Sequence, residues 1–165
     1  MSGTTTAVNP RGIFDRSTMG TSLAPITVQV ERGKIQFFAQ VLGETNPIHS
    51  DVASARAQGF PDIVAPPSFF TAIDAMADEE RRRLGQTSAA VLVKCDLRYL
   101  LHADEAYDYF GPIFAGDEVT LKTSIVDFYD KKGGDLEFVT SLSVVEHATR
   151  GVLVRATRTV LHRLP

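Results

Sequence analysis

The sequence predicts an α+β domain in which one long helix lies in the hollow of an antiparallel sheet. Three observations predict it: helical spacing from Ser68 to Leu84 behind Pro66-Pro67, a run of period-two segments after Gly85, and a short strand-plus-helix passage ahead of both. A helix with one apolar stripe, followed by strands joined through tight turns, can bury that stripe only against the sheet those strands form. The chain has 165 residues and is 44% hydrophobic, enough for one packed core, so a single domain over residues 17–165 is expected.

Taken in order, Ile26, Val28 and Val30 alternate with Thr27, Gln29 and Glu31, the pattern of a half-buried strand. From Arg32 to Leu42 the spacing becomes helical, with Ile35, Phe38, Ala39 and Leu42 on one side and Gly43 as the C-cap. A short helix is expected over Asp51 to Gln58, capped by Ser50 or Asp51 and ended by Gly59. These pieces make an overhanging helix-loop-helix that presents Glu44 and His49. In the long helix, Phe69, Ala72, Ile73, Met76 and Ala77 form the stripe, and Arg81-Arg82-Arg83 read as a solvated end that complements the dipole.

Four strands are expected beyond it. The first runs through Ala89, Val91, Val93, Cys95, Leu97 and Tyr99, the second through Val119 to Ile125, the third through Leu136 to Val144, and the last through Val152 to Val160. Lys132-Gly133-Gly134-Asp135 and Thr149-Arg150-Gly151 supply the turns. This order is the hot-dog arrangement, and a lone protomer leaves a sheet edge open. A dimer, with itself or with another hot-dog subunit, is therefore expected.

Composition removes several functions. A net charge of −3 lacks the basic stripe of a nucleic-acid surface, and no run approaches the roughly 20 apolar residues of a membrane span. The single cysteine, Cys95, excludes an internal disulfide and fits a reduced cytoplasm; its place on the apolar phase of a segment suits an inert core thiol. Residues 1–16 are rich in Ser, Thr and Gly without the apolar stretch of a secretory signal, and are expected to be a flexible tail. His102, His147 and His162 show no metal-ligand spacing, and no phosphate-loop or dinucleotide signature occurs, so neither metal nor cofactor is expected.

The chemistry concentrates in Gly43-Glu44-Thr45-Asn46-Pro47-Ile48-His49. A carboxylate and an imidazole near one substrate atom can divide proton removal and proton delivery between them. Pro47 forbids continued helix and pushes Asn46 into an extended conformation, so Glu44 and His49 can converge across a bend. Asn46 is suited either to ordering this loop through its own side-chain hydrogen bonds or to touching substrate.

With its flank Phe38 to Leu42, this run resembles the hydratase motif of the MaoC-like (R)-specific enoyl-CoA hydratases, in which Asp and His bracket Asn-Pro. Ala55 to Phe69, Leu101-His102, Phe114 to Val119 and Arg155 to Val160 are similar to the branch that includes the mycobacterial (3R)-hydroxyacyl-ACP dehydratase subunits. The resemblance spans residues 20 to 163. It implies a hot-dog fold, reversible hydration of an enoyl thioester of coenzyme A or acyl carrier protein, Glu44 and His49 as the acid-base pair, and no cofactor.

Two departures bear on the chemistry. Glu44 stands where the hydratases carry Asp, and some similar members with Glu there lack the His and only hold substrate; this chain keeps His49. Ala65-Pro66-Pro67 replaces a His-Gly whose glycine amide holds the thioester carbonyl, and proline has no amide to offer. The N–H groups of Ser68 and Phe69 at the helix start are the expected substitutes, against the simpler view that proline favours helix starts. Asp117 is expected to tighten the turn into a strand, while Phe37, Phe38, Phe60, Phe69 and Phe70 pack the core or wall an acyl tunnel. A non-catalytic acyl-binding subunit and, less favoured by the Asn-Pro-Ile-His context, a thioesterase share this fold.

Overall fold

The computed structural model describes residues 9–165. In chain order they form β1 (Ile26–Gln29), α1 (Arg32–Leu42), α2 (Val52–Ala57), α3 (Phe70–Arg83), α4 (Ala89–Leu92), β2 (Leu100–Tyr109), β3 (Glu118–Lys131), β4 (Leu136–His147) and β5 (Gly151–Arg163). The strands make one antiparallel sheet in the order β1-β3-β4-β5-β2, so β1 and β2 are its edges. The expected α+β hot-dog layout is what the chain adopts, with α3 as the long helix against the sheet.

Local chemistry explains the element ends. Gly43 takes the left-handed conformation at φ 68°, and its N–H reaches Ala39 O and Gln40 O, which stops α1 where the loop must turn. Asp51 caps α2 by accepting the Ser54 N–H at 2.6 Å. In α3 the buried positions Phe70, Ile73, Ala77 recur at helical spacing. Ile73 and Ala77 are fully buried with Val30, Ile35, Val119, Leu121 and Val145, a core that joins the helix to β1, β3 and β4. Each such aliphatic side chain taken from water contributes about 1.5–3 kcal/mol.

Three expectations need correction. Ala89 to Tyr99 is not a strand: Ser88 caps a single helical turn by accepting the Val91 N–H, and Lys94 turns left-handed at φ 56°, so only Val93 is buried while Val91 and Leu97 stay exposed. The strand comes later, at Leu100–Tyr109, and its polar composition hid it because it is a mostly exposed edge. Arg81 is not a solvated helix end; it continues the stripe of Ile73 and Ala77, is 1% exposed, and pairs with Asp78 at 3.2 Å. Only Arg82 and Arg83 are exposed.

The expected tail also fails over residues 9–16, residues 1–8 lying outside the described part. Phe14 is buried with Val93, Ile125, Phe128 and Val139 in a second cluster. Glu137, fully buried on β4, accepts the N–H groups of Ile13 at 2.7 Å and Phe14 at 3.1 Å, which pins this strap to the sheet. A carboxylate buried on the sheet needs donors, and the two strap amides supply them to Oε1.

Candidate active site

The loop after α1 is built to turn His49 inward. Asn46 accepts the Ile48 N–H at 3.2 Å, Pro47 occupies the first position of the short 3-10 turn Pro47–His49, and the imidazole that follows is 7% exposed. Its Nδ1 lies 2.7 Å from Val64 O. A carbonyl only accepts, so Nδ1 carries the hydrogen and Nε2 keeps its lone pair free. Val64 is itself fixed, donating to Ile48 O at 3.0 Å and bridging to Phe114.

His49 forms part of the wall of a cavity of about 290 Å³. The rest is mainly apolar: Val64 to Pro67, Phe69 and Phe70 on one side, Tyr109, Gly111 to Ile113 and Val154 on the other. Imidazole and apolar wall together make a partly dry site for a proton carrier.

Glu44 sits at the edge of this arrangement rather than in the cavity lining. Its carboxylate accepts the Asn46 N–H at 2.9 Å, and that bond holds its pKa below the ordinary carboxylate range against a smaller opposing effect of desolvation. Glu44 is thus an ionised carboxylate within electrostatic reach of the imidazole. Asn46 spends its side chain on the loop and does not line the cavity.

At the start of α3 the structure differs from the simple expectation of free amides. Ser68 adopts φ 68°, a left-handed conformation costly for a residue with a Cβ, and its N–H donates to the hydroxyl of Tyr109 at 3.0 Å. The Phe69 N–H donates to Pro66 O at 3.1 Å, and its ring lines the cavity. Both amides are engaged. Tyr109, which sequence reasoning missed, brings its phenol to the Ser68 amide and lines the cavity; its alternation with Tyr107 at the end of β2 marks a strand face without naming a partner.

The other candidates sort quickly. His162 is fully buried against Glu137, and Asp117 accepts the Phe114 N–H at 2.7 Å and pairs with Arg150, tightening the turn into β3. Burial pushes the Cys95 thiol up, away from the thiolate form. Among the described residues no group of His, Cys, Asp and Glu is arranged to hold a metal ion, and no helix is long and apolar enough to cross a membrane.

Residues 17–157 match the family described as FAS1-like, dehydratase domain region. A UPF0336 protein of Streptomyces coelicolor is 32% identical over 124 residues, 74% of this chain and 79% of that protein. A UPF0336 protein of Thermobifida fusca is 30% identical over 137 residues, 81% of this chain and 86% of its own. Among solved structures, the HadBC (3R-hydroxyacyl-ACP dehydratase) complex of Mycobacterium tuberculosis superposes with a TM-score of 0.69 at 18% identity, covering 87% of this chain and 96% of that one. An (R)-hydratase from A. caviae gives 0.60 at 17% identity, covering 89% and 96%. These structural likenesses carry the hot-dog fold, and the match over residues 17–157 carries the lineage: the chain belongs to the family described as FAS1-like, dehydratase domain region.

Proposed function

We propose that this protein catalyses the reversible hydration of an enoyl thioester to its (3R)-hydroxyacyl form, the thioester being carried by coenzyme A or an acyl carrier protein. The observation that carries the reading is His49, held through Nδ1 by Val64 O with Nε2 free in the wall of an apolar cavity. In the forward direction water gives up a proton as its oxygen bonds to C3, and C2 receives a proton; the reverse reaction returns both. His49 and Glu44 divide these two transfers. The thioester itself acidifies C2, so the scheme needs no cofactor.

The carbonyl of the thioester takes up negative charge during either direction and wants a donor. Ser68 serves through Tyr109: the phenol accepts the Ser68 N–H and so has its own proton to give. Phe69 contributes its ring to the acyl wall. The likeness to a dehydratase complex, together with the unpaired outer side of β2, supports assembly with a second hot-dog subunit, in the cytoplasm where acyl thioesters are made and used.

A second reading has one observation in its favour. Glu44 lies outside the cavity lining, which suits a subunit that holds the acyl group while a partner supplies the full acid-base pair. Loss of enoyl absorbance on mixing the purified protein with crotonyl-CoA and a longer enoyl-CoA separates the two. Turnover that collapses in His49→Ala and Glu44→Ala supports the hydratase; a folded protein inert on every chain length until a second hot-dog subunit is added supports the holder.

A further inference from the structure

The sheet positions beneath α3 do not stay apolar along their length. In register across β3, β4, β5 and β2, the row beside the His49 cavity reads Leu121, Val145, Val154, Tyr109. The next reads Thr123, Ser143, Ala156, Tyr107, and the next Ile125, Ser141, Arg158, Glu105. Beyond them the row reads Phe128, Val139, Val160, His102, apolar except at its β2 end. A sheet shaped only for an alkyl chain would carry Val or Ile throughout, so the polar belt in the middle asks for an explanation.

A second cavity of about 190 Å³ lies over this belt. Thr123, Ser141, Ser143 and Arg158 line it from the sheet and Phe70 and Asp74 from α3. Phe70 also lines the His49 cavity, and the Arg158 guanidinium stands 5.5 Å from its ring, so the two spaces share this aromatic side chain.

The polar groups of the belt are unequally satisfied. Thr123 and Ser143 hydrogen-bond each other at 2.9 Å. Arg158 gives Nε to Glu105 and Nη1 to Asp74, but its Nη2 and the Ser141 hydroxyl have no hydrogen-bond partner among the described residues. Two carboxylates already flank the one guanidinium, so a third would be repelled. A plain methylene chain would cover Nη2 and Ser141 without bonding them, and leaving a buried donor unpaired costs on the order of tenfold or more in affinity. A neutral oxygen meets both objections. It accepts from Arg158 and exchanges a hydrogen bond with Ser141.

We propose that the second cavity receives the far part of the acyl group and selects thioesters bearing a hydroxyl or ketone well down the chain. The inference rests on the acyl-thioester reading above and names its substrate class. Val154 and Arg158 are four residues apart on β5, about 13 Å, which sets the oxygen on the order of ten bonds from the thioester carbonyl.

The test is calorimetric titration of the full chain with decanoyl-CoA, its ω-hydroxylated analogue and its ω-carboxylated analogue, all saturated and so incapable of hydration. The hydroxylated ligand is expected to bind about tenfold more tightly than either of the others. Ser141→Val should lower the hydroxyl-to-alkyl ratio about threefold, the Arg158 donor remaining, and Ser141→Ala, which only deletes the hydroxyl, should do the same if valine disturbs the sheet. Equal or tighter binding of decanoyl-CoA, a preference undiminished in both variants, or no binding of any of the three overturns the proposal. Hydration of the matching enoyl thioesters is followed in parallel. A hydroxyl preference without turnover removes the catalytic reading and leaves this one; turnover without the preference does the reverse.

Discussion

His162 and His49 each have a carboxylate nearby, and they use it in opposite ways. His162 and Glu137 are both fully buried, with Nδ1 2.8 Å from the carboxylate. Nε2 of His162 accepts the Asp96 N–H at 2.9 Å, and Phe14 stacks on the ring with centroids 3.8 Å apart. Every bonding direction of that imidazole is used inside the protein. His49 uses one nitrogen on Val64 O and leaves the other to a cavity, while Glu44 is tied to its own loop. A short contact between a histidine and a carboxylate is therefore the mark of a fastening here, and an unfilled nitrogen the mark of a place where a proton can move.

Removing one group from each pair tests this contrast. His49→Ala is expected to lower kcat/KM on enoyl-CoA by about 10²–10⁴-fold while changing stability far less than any change at Glu137. An equally large loss of stability in His49→Ala, read by urea unfolding, would erase the distinction. Glu137→Ala should act the other way, costing about 3–5 kcal/mol in the same unfolding measurement, because the His162 N–H and the amides of Ile13 and Phe14 all lose their acceptor in a buried place.

A smaller effect is expected from Gly12→Ala. A Cβ there would stand 2.8 Å from Glu137 Oε2 and 3.1 Å from Asn9 O, so the strap must shift, at a cost of about 1–3 kcal/mol visible as a lower Tm. The mildest test is pH. Asp15, bonded to Ser17 and Lys94, and Asp96, bonded to Arg98, are both pulled down to about 2. Depressed carboxylates stabilise the fold above their unfolded value of 3.8, and that contribution disappears as pH falls from there to about 2. Melting curves between pH 5 and 2 should show it, and Asp96→Asn should flatten part of the fall.

Much of this was legible beforehand. The α1 range, its Gly43 cap, an α2 cap narrowed to Ser50 or Asp51 and the inward face of α3 follow from local rules that tertiary contacts did not override. What misled was alternation without a sheet. Ala89 to Tyr99 shows period two, yet Ser88 and Ala89 start a helical turn, and the real strand, Leu100–Tyr109, is an edge whose exposed side chains need not be apolar. Arg81 was hidden for the opposite reason, a charge on a stripe otherwise read as apolar.

The candidate site was half visible. His49 could be singled out from Asn46-Pro47, but Tyr109 could not, since it meets Ser68 across 41 residues of chain and only the sheet brings them together. The engagement of the Ser68 and Phe69 amides was equally out of reach of spacing, depending as it does on a left-handed residue 68.

Among the described residues no strand pairs with the outer side of β2, which leaves the outward main-chain donors and acceptors of a ten-residue strand open. That strand carries Asp104, Glu105 and Asp108 and no Lys or Arg. A strand edge of that composition attracts a basic strand edge and repels an acidic one, and added salt weakens both effects.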